Sequence, residues 1–503
     1  MSISYIQEMK GITPERLYYG LLAHGLFAER LPPIFTSISF FDYCQSSAYN
    51  FSDRGYNYVK FYSLKNTNIP RQFGIPNPIS YHLLCKCLKD NWYNICTHFE
   101  NNTSNQNHKI SRIHIRRLAN KPALFEMNYH NWKIDGSPET DLMFGKRYLV
   151  RADISTFFPS IYTHSLSWAL IGKAKAKIDR NKKHWYNDID HQAQNVKHGE
   201  THGLLIGPHT SNLLSEIILT TVDNNLYKKN WCSYIRHIDD YTCYANSYEE
   251  GQRFLIDLSE ELYSFDLKLN ENKTSIEELP IAAVDQWVRQ INSLNIKKHN
   301  ENMQYPDVKA FLDNVIGIMH RNNDKSSILY YAMKVLSGQK MTQNANEYCI
   351  KTLLSYIVLY PYLIPFVDKY VIQTYRADFS LIRKFANQIY NEGIKFRNYE
   401  EVSFSLFFAI KYNFQIEAID LDIILKTNNC IIYILSFLYF EYFKNIDAKK
   451  KLGEYALNLS KNKDDFCQNW IFVYESISKS YLKDEWKDMK ENQVTFLKPI
   501  SDW

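Results

Sequence analysis

The chain has 503 residues, too many for a single hydrophobic core, so two or three domains are expected. Hydrophobic residues at 45% and charged residues at 22% argue against a disordered scaffold, and 38 Tyr with 29 Phe favour long helices and aromatic cores over a β-sandwich. A net charge of +5 permits a nucleic-acid partner without demanding one, because phosphate binding depends on how cations cluster.

Nine cysteines, an odd number without framework spacing, fit a reducing compartment. Cys85 and Cys87 lack the partner ligands of a zinc site. The first residues carry Gln7 and Glu8 and no apolar core, so no signal peptide is expected. The most apolar run, 352–367, falls short of the roughly 20 residues a bilayer requires and holds Pro361 and Pro365. A soluble, cytoplasmic protein is therefore expected.

Residues 1–60 read as short helices with a break at Leu31-Pro32-Pro33. Residues 70–95 run from a Pro-punctuated extended piece into a helix with Leu83, Leu84, Cys87, Leu88 and Trp92 at helical spacing. Ser111 to Arg117 alternates apolar and basic residues, which predicts a strand with one cationic face. Residues 147–155 read as a strand and 156–170 as a helix opening near Pro159. A helix is predicted over 211–227, and 231–245 reads as two short strands joined at Asp239-Asp240. A further helix (248–265) and the piece 267–279 complete a βαβ-type arrangement. Beyond about residue 285 the composition shifts to amphipathic helices with almost no strand signal. The expected architecture is thus an α+β half over 1–285 followed by an all-α half over 286–503.

Three aspartates carry the chemistry. Joining nucleotides requires a hydroxyl to attack an α-phosphate while pyrophosphate leaves. Two Mg²⁺ ions roughly 3.5–4 Å apart serve that step, with carboxylates as their hard oxygen ligands. Asp153 ends a hydrophobic strand and Asp239-Asp240 lies between two others, so all three fall on one edge of a sheet. Taken singly, an Asp-Asp turn is often only turn chemistry and a strand-terminal Asp only a helix cap.

The surrounding segments resemble a family. Residues 152–164 (ADISTFFPSIYTH) look like motif A of reverse transcriptases and 199–219 like motif B. YIRHIDDYTCYA (234–245) is similar to motif C and LNENKTSIEEL (269–279) to motif D, in order. The motif A residues, the GETHG lead into motif B and the helical tail are most similar to bacterial abortive-infection (Abi) reverse-transcriptase-like polymerases, of the AbiK type and the prophage-borne subfamily. That resemblance implies reverse-transcriptase-like fingers and palm, followed by a HEAT-like helical domain in place of a thumb. It implies Asp153 and Asp239 as metal ligands, Asp240 beside them, the Ile154 carbonyl assisting one ion, and Mn²⁺ as a substitute for Mg²⁺. Phe158 matches an aromatic gate against 2′-hydroxyls, although Phe157 or Phe158 could merely pack into the palm. Gly207 matches the motif B glycine, and Lys273 the motif D lysine that protonates or neutralises pyrophosphate.

Two positions depart from the usual pattern. His237 stands where motif C normally has an aromatic residue, and Leu205-Ile206 replace Pro-Gln before Gly207. Aliphatic side chains cannot supply the amide's hydrogen bonds to a nascent base pair. The Abi resemblance implies untemplated synthesis from dNTPs, primed by a protein side chain and leaving DNA covalently attached to the enzyme. Tyr5, on an N-terminal arm expected to be mobile, is the priming candidate, with Tyr43, Tyr49, Tyr56, Tyr58 and Tyr62 as rivals. Arg112, Arg116 and Arg117 would meet triphosphates, and the basic run 172–183 could track a phosphate backbone. The resemblance also implies an antiphage role and a closed homo-oligomer, a trimer ahead of a hexamer. The alternatives are an RNA-templated reverse transcriptase with a partner RNA, and a retired polymerase fold used as a binding module.

Overall fold

A computed structural model describes residues 4–46, 50–66, 69–112 and 136–503. It opens with three short helices, α1 (Tyr5–Lys10), α2 (Pro14–His24) and α3 (Ile38–Ser46). Ser4 and Thr13 cap the first two by accepting from the N–H groups of Gln7 and Arg16, donors that a first helical turn leaves unpaired. β1 (Val59–Leu64) and β2 (Pro70–Ile75) then form an antiparallel hairpin. Its pleat buries Val59, Phe61 and Ser63 and leaves Lys60 and Tyr62 exposed. The helices α4 (Pro78–Asp90) and α5 (Trp92–Thr103) follow, α4 starting on a Pro and capped by Asn77.

After α6 (Glu139–Met143), four strands form the sheet that carries the site: β3 (Tyr148–Asp153), β4 (Tyr234–His237), β5 (Asp240–Ala245) and β6 (Ser275–Glu278). Their order is β4-β5-β3-β6 and every pairing is antiparallel, so β3 is central. Leu149, Val150 and Ala152 make β3 apolar enough to be buried there. The helix α12 (Tyr248–Ser264) packs across β3, β5 and β6. A Cβ at its Gly251 would stand 3.0 Å from a Val150 methyl, so the absent side chain lets helix and strand approach closely.

The segment after β3 differs from the single helix that the sequence predicts. It forms two, α7 (Phe157–Ser160) and α8 (Ser165–Ile171), because the backbone between them pairs elsewhere. Gly203 N–H donates to the Ile161 carbonyl at 2.7 Å and Thr163 N–H to the Thr201 carbonyl at 2.8 Å. Tertiary pairing overrides the local helical pattern here. The helices α9 (Lys173–Ile178), α10 (Trp185–Asn195) and α11 (His209–Lys228) complete this half. The basic strand predicted over 111–117 falls mostly outside the described residues, but Ser111 bridges Arg236 beside β4.

No strand occurs among the described residues after Glu278. Successive helices form antiparallel pairs, such as Phe379–Phe396 against Tyr399–Lys411 and Cys430–Tyr442 against Ile446–Leu459. The apolar run at 352–367 breaks after Leu359 into a bend of 117°, and no single helix among the described residues is long and apolar enough to cross a membrane. This helical half returns to the start of the chain. Leu497 bridges Phe35, and Phe496 packs against Phe27 and Phe40. Glu400 accepts from Ser63 Oγ at 2.7 Å and from Leu64 N–H at 3.2 Å on β1. Between this hairpin and the helices a cavity of about 1410 Å³ opens, with Lys60, Tyr62, Arg397 and Tyr433 among its walls.

Candidate active site and metal centre

β3 ends at Asp153, directly opposite Asp240 at the start of β5. Asp239 occupies the turn between β4 and β5, and its carbonyl accepts the Ile154 N–H at 3.1 Å. One carboxylate oxygen from each of Asp153, Asp239 and Asp240 lies within 4.8 Å of the others. The turn is unusual in placing Ile238, a β-branched residue, at φ +56°. That conformation is held from inside: Arg236 donates to the Ile238 carbonyl at 3.0 Å. The guanidinium is fully buried and paired with Glu216 at 2.7 Å and Asp223 at 2.6 Å, both on α11.

The carboxylates repel one another. Burial, then the Asp153 charge, raises the Asp239 carboxyl. Burial, a hydrogen bond with Asp153 and the neighbouring charges push Asp240 up to about 7. Lys273 donates to Asp153 Oδ1 at 3.0 Å. Partial burial works against its charge, but Asp153, Asp240 and Asp239 outweigh this and raise the ammonium. Three hard oxygen donors, crowded and electrostatically unsatisfied at one sheet edge, suit a divalent cation such as Mg²⁺.

Other expected residues converge here through the backbone. Phe157 is buried and Phe158 half-buried beside it, with ring centroids 5.1 Å apart. The Phe158 carbonyl accepts from Leu204 N–H at 2.8 Å, joining the gate segment to the lead of motif B. Gly207 sits at φ +127°, where a side chain is strained, and a Cβ would stand 3.3 Å from the Gly74 carbonyl. Leu205 is buried against Gly74, whose N–H donates to the Ile206 carbonyl at 3.0 Å. The altered motif B is therefore stitched to the β1–β2 hairpin. His237 ends β4 opposite Asp240.

Several expected residues lie elsewhere. Arg112 is buried, its N–H donating to the Arg236 carbonyl and its guanidinium to the Gly136 carbonyl at 3.0 Å. Arg116 and Arg117 are outside the described residues. The expected mobile arm is instead the capped helix α1, and Tyr5 is 4% exposed with its hydroxyl donating to Glu216 at 2.8 Å. Burial, then the Glu216 charge, raises this phenol well above its ordinary range. Among its rivals, Tyr43 is hydrogen-bonded to Asp488 and Tyr56 to Glu485, Tyr58 is buried, and Tyr49 is outside the described residues. Tyr62 is 50% exposed on β1.

Two residues escaped sequence reasoning. Asn270 donates to Asp153 Oδ2 at 3.1 Å while its N–H takes the Asp153 carbonyl at 2.7 Å. Its signal was its place three residues before Lys273 in a polar turn. Arg71 on β2 acts on Asp239 electrostatically, lowering it, and its signal was the Arg71/Phe73 alternation.

Residues 82–307 match the family model of the reverse transcriptase (RNA-dependent DNA polymerase). No curated protein matches the chain. Among solved structures, apo telomerase from Candida tropicalis is similar at 10% identity and a TM-score of 0.34, covering 76% of this chain and 67% of that one. That likeness is too distant to carry an argument. The matched domain makes the chain a nucleotidyltransferase of the reverse-transcriptase class.

Proposed function

We propose, from a nucleotidyltransferase domain of the reverse-transcriptase class, that this chain is a magnesium-dependent DNA polymerase that extends a protein hydroxyl with deoxynucleotides, without copying a template. The observation that carries the chemistry is the three-aspartate cluster at the sheet edge. Asp153 and Asp239 would hold two divalent ions with Asp240 beside them, and the ions would activate the attacking hydroxyl and stabilise the leaving oxygens. Asn270 and Lys273 orient Asp153. Lys273, 63% exposed at its side chain, is free to swing toward the departing pyrophosphate and give it a proton. Phe158, by its match to the motif A gate, would lie under the sugar and disfavour a 2′-hydroxyl. Arg71 supplies positive charge from the hairpin side of the cluster.

Two features favour untemplated extension. Ile206 has no amide with which to back a nascent base pair, and its carbonyl is engaged with Gly74. The large cavity beside β1 has the tyrosines and cations that suit an outgoing single strand. We read the paired helices after residue 285 as a HEAT-like unit in the place of a thumb. On the Abi resemblance we further propose a bacterial, cytoplasmic antiphage role and a closed homo-oligomer, a trimer ahead of a hexamer.

Purified protein incubated with Mg²⁺ and labelled deoxynucleotides, with neither primer nor template, tests the mechanism. Label should migrate with the protein in denaturing gels, be released by proteinase, and be absent from Asp239→Asn protein or in EDTA. Incorporation only after nucleic acid is added would sink protein priming and leave the polymerase assignment standing.

A further inference from the structure

The basic run at 172–183 is not used by the chemistry above, and it borders a second cavity of about 390 Å³. That volume is within the range of small-molecule sites, roughly 300–1,000 Å³. One wall is aromatic: Tyr162 and Trp168 meet edge to face with centroids 5.6 Å apart. Lys177, Arg180 and Lys182 also line it.

The walls are built rather than loose. Asp179 accepts from the Asn181 N–H at 3.1 Å and the Tyr186 hydroxyl, and lies 2.7 Å from His184 Nδ1. The Asn187 amide bridges the Asp179 and Asn181 carbonyls at 3.0 and 3.1 Å. These bonds fix the turn that carries Arg180 and Lys182, while Lys177 stands on α9. The second acid at the cavity, Asp190, is likewise engaged, by His164 Nδ1 and by the Gln194 amide at 2.8 Å. The hydrogen bond to Asp190 raises the pKa of the His164 ring, against its partial burial. Both carboxylates are thus turned toward donors of the wall, and the three cations outnumber them around the cavity.

We propose that this cavity binds a phosphorylated nucleoside, the base against Trp168 and Tyr162 and the phosphate among Lys177, Arg180 and Lys182. Lys173 lies over one face of Trp168, 3.9 Å from the ring centroid, so a base would use the face it leaves, and clustered cations accept the phosphate. The site adjoins the motif A segment through the backbone. Tyr162 pairs with His202, and two residues on Leu204 holds the carbonyl of the gate residue Phe158.

The ligand could come from a free nucleotide or from the phosphorylated end of a strand. Isothermal titration calorimetry on the whole protein in EDTA, which removes cation-dependent binding at the aspartates, distinguishes the two. The probes are thymidine 5′-monophosphate, 5′-phosphorylated hexathymidylate and inorganic phosphate. Saturable binding of either thymidylate is expected, weakened about tenfold or more in Arg180→Ala/Lys182→Ala protein that melts like wild type. Trp168→Leu should weaken thymidylate and leave phosphate unchanged. Hexathymidylate that binds tighter than the monophosphate and loses that advantage in the double variant assigns the site to a strand end; equal or tighter monophosphate assigns it to a free nucleotide. No saturable binding, binding indifferent to the double substitution, or phosphate binding as tightly as thymidylate would overturn the proposal.

Discussion

Asp240 stands against Asp153 and beside Asp239, and this crowding has a thermodynamic sign. Its carboxyl is pushed up to about 7, by burial first and its acidic neighbours next, against about 3.9 in an unfolded chain. A raised acid favours the folded state while protonated, so that contribution is complete below about pH 4 and is lost as pH rises through 7. Asp240→Asn should therefore raise the melting temperature at pH 8 by of order 1–3 °C and leave it little changed at pH 5. Mg²⁺ should stabilise the wild type more at pH 8 than at pH 5, and equal shifts at both would contradict this account. Phe158 invites a different measurement. Phe158→Ala should cut the preference for deoxy- over ribonucleotides by about tenfold or more, read as a ratio of kcat/KM values. An unchanged ratio would leave Phe158 as a packing residue like its neighbour Phe157. The aspartates were legible in the sequence because strand, turn and strand each have local signatures. Asn270 and Arg71 were not, since their importance exists only once distant segments meet at the sheet edge.

Among the elements, the turn between β4 and β5 depends on partners that periodicity does not reveal. Arg236 was read simply as part of a strand, yet it carries a buried ionic network from α11 to the Ile238 carbonyl. Tyr5 on α1 joins that network through Glu216, which Ser111 also bonds at 3.0 Å. Tyr5→Phe should cost about 1–2 kcal/mol in urea unfolding, the cost of one lost buried hydrogen bond. It should leave the protein-linked DNA product intact. Loss of that product in stably folded Tyr5→Phe protein would instead return the priming role to Tyr5. The break between α7 and α8 was equally hidden. The local pattern was helical, and the pairing of 161–163 with 201–203 belongs to the tertiary structure.

Across the whole molecule, the amphipathic helices after residue 285 were legible as helices, but their docking was not. Glu400 shows why: a carboxylate in an apolar helix gives no hint that it receives the Ser63 hydroxyl and Leu64 N–H of the hairpin. Burial pushes it up to about 7, although Ser63, the Arg30 charge and Leu64 pull the other way. Its unfolded value is about 4.3, so its stabilising contribution is present in acid and fades as pH rises through 7. Melting curves of Glu400→Gln and wild type from pH 5 to pH 8 should converge or cross in the variant's favour, whereas parallel curves would refute the assignment.

The closure of the chain upon itself bears on how it is made. Ser39 Oγ donates to the carbonyl of Thr495, 456 residues away, and Phe27 and Phe40 lie under Trp470 and Phe496. Whatever folds first on the ribosome leaves those rings only partly covered, by Phe35, Phe51 and His82, until the last helices emerge. Translation order therefore delays completion of the aromatic core around Phe27 and Phe40, and a stalled nascent chain would display it as a sticky surface for chaperones.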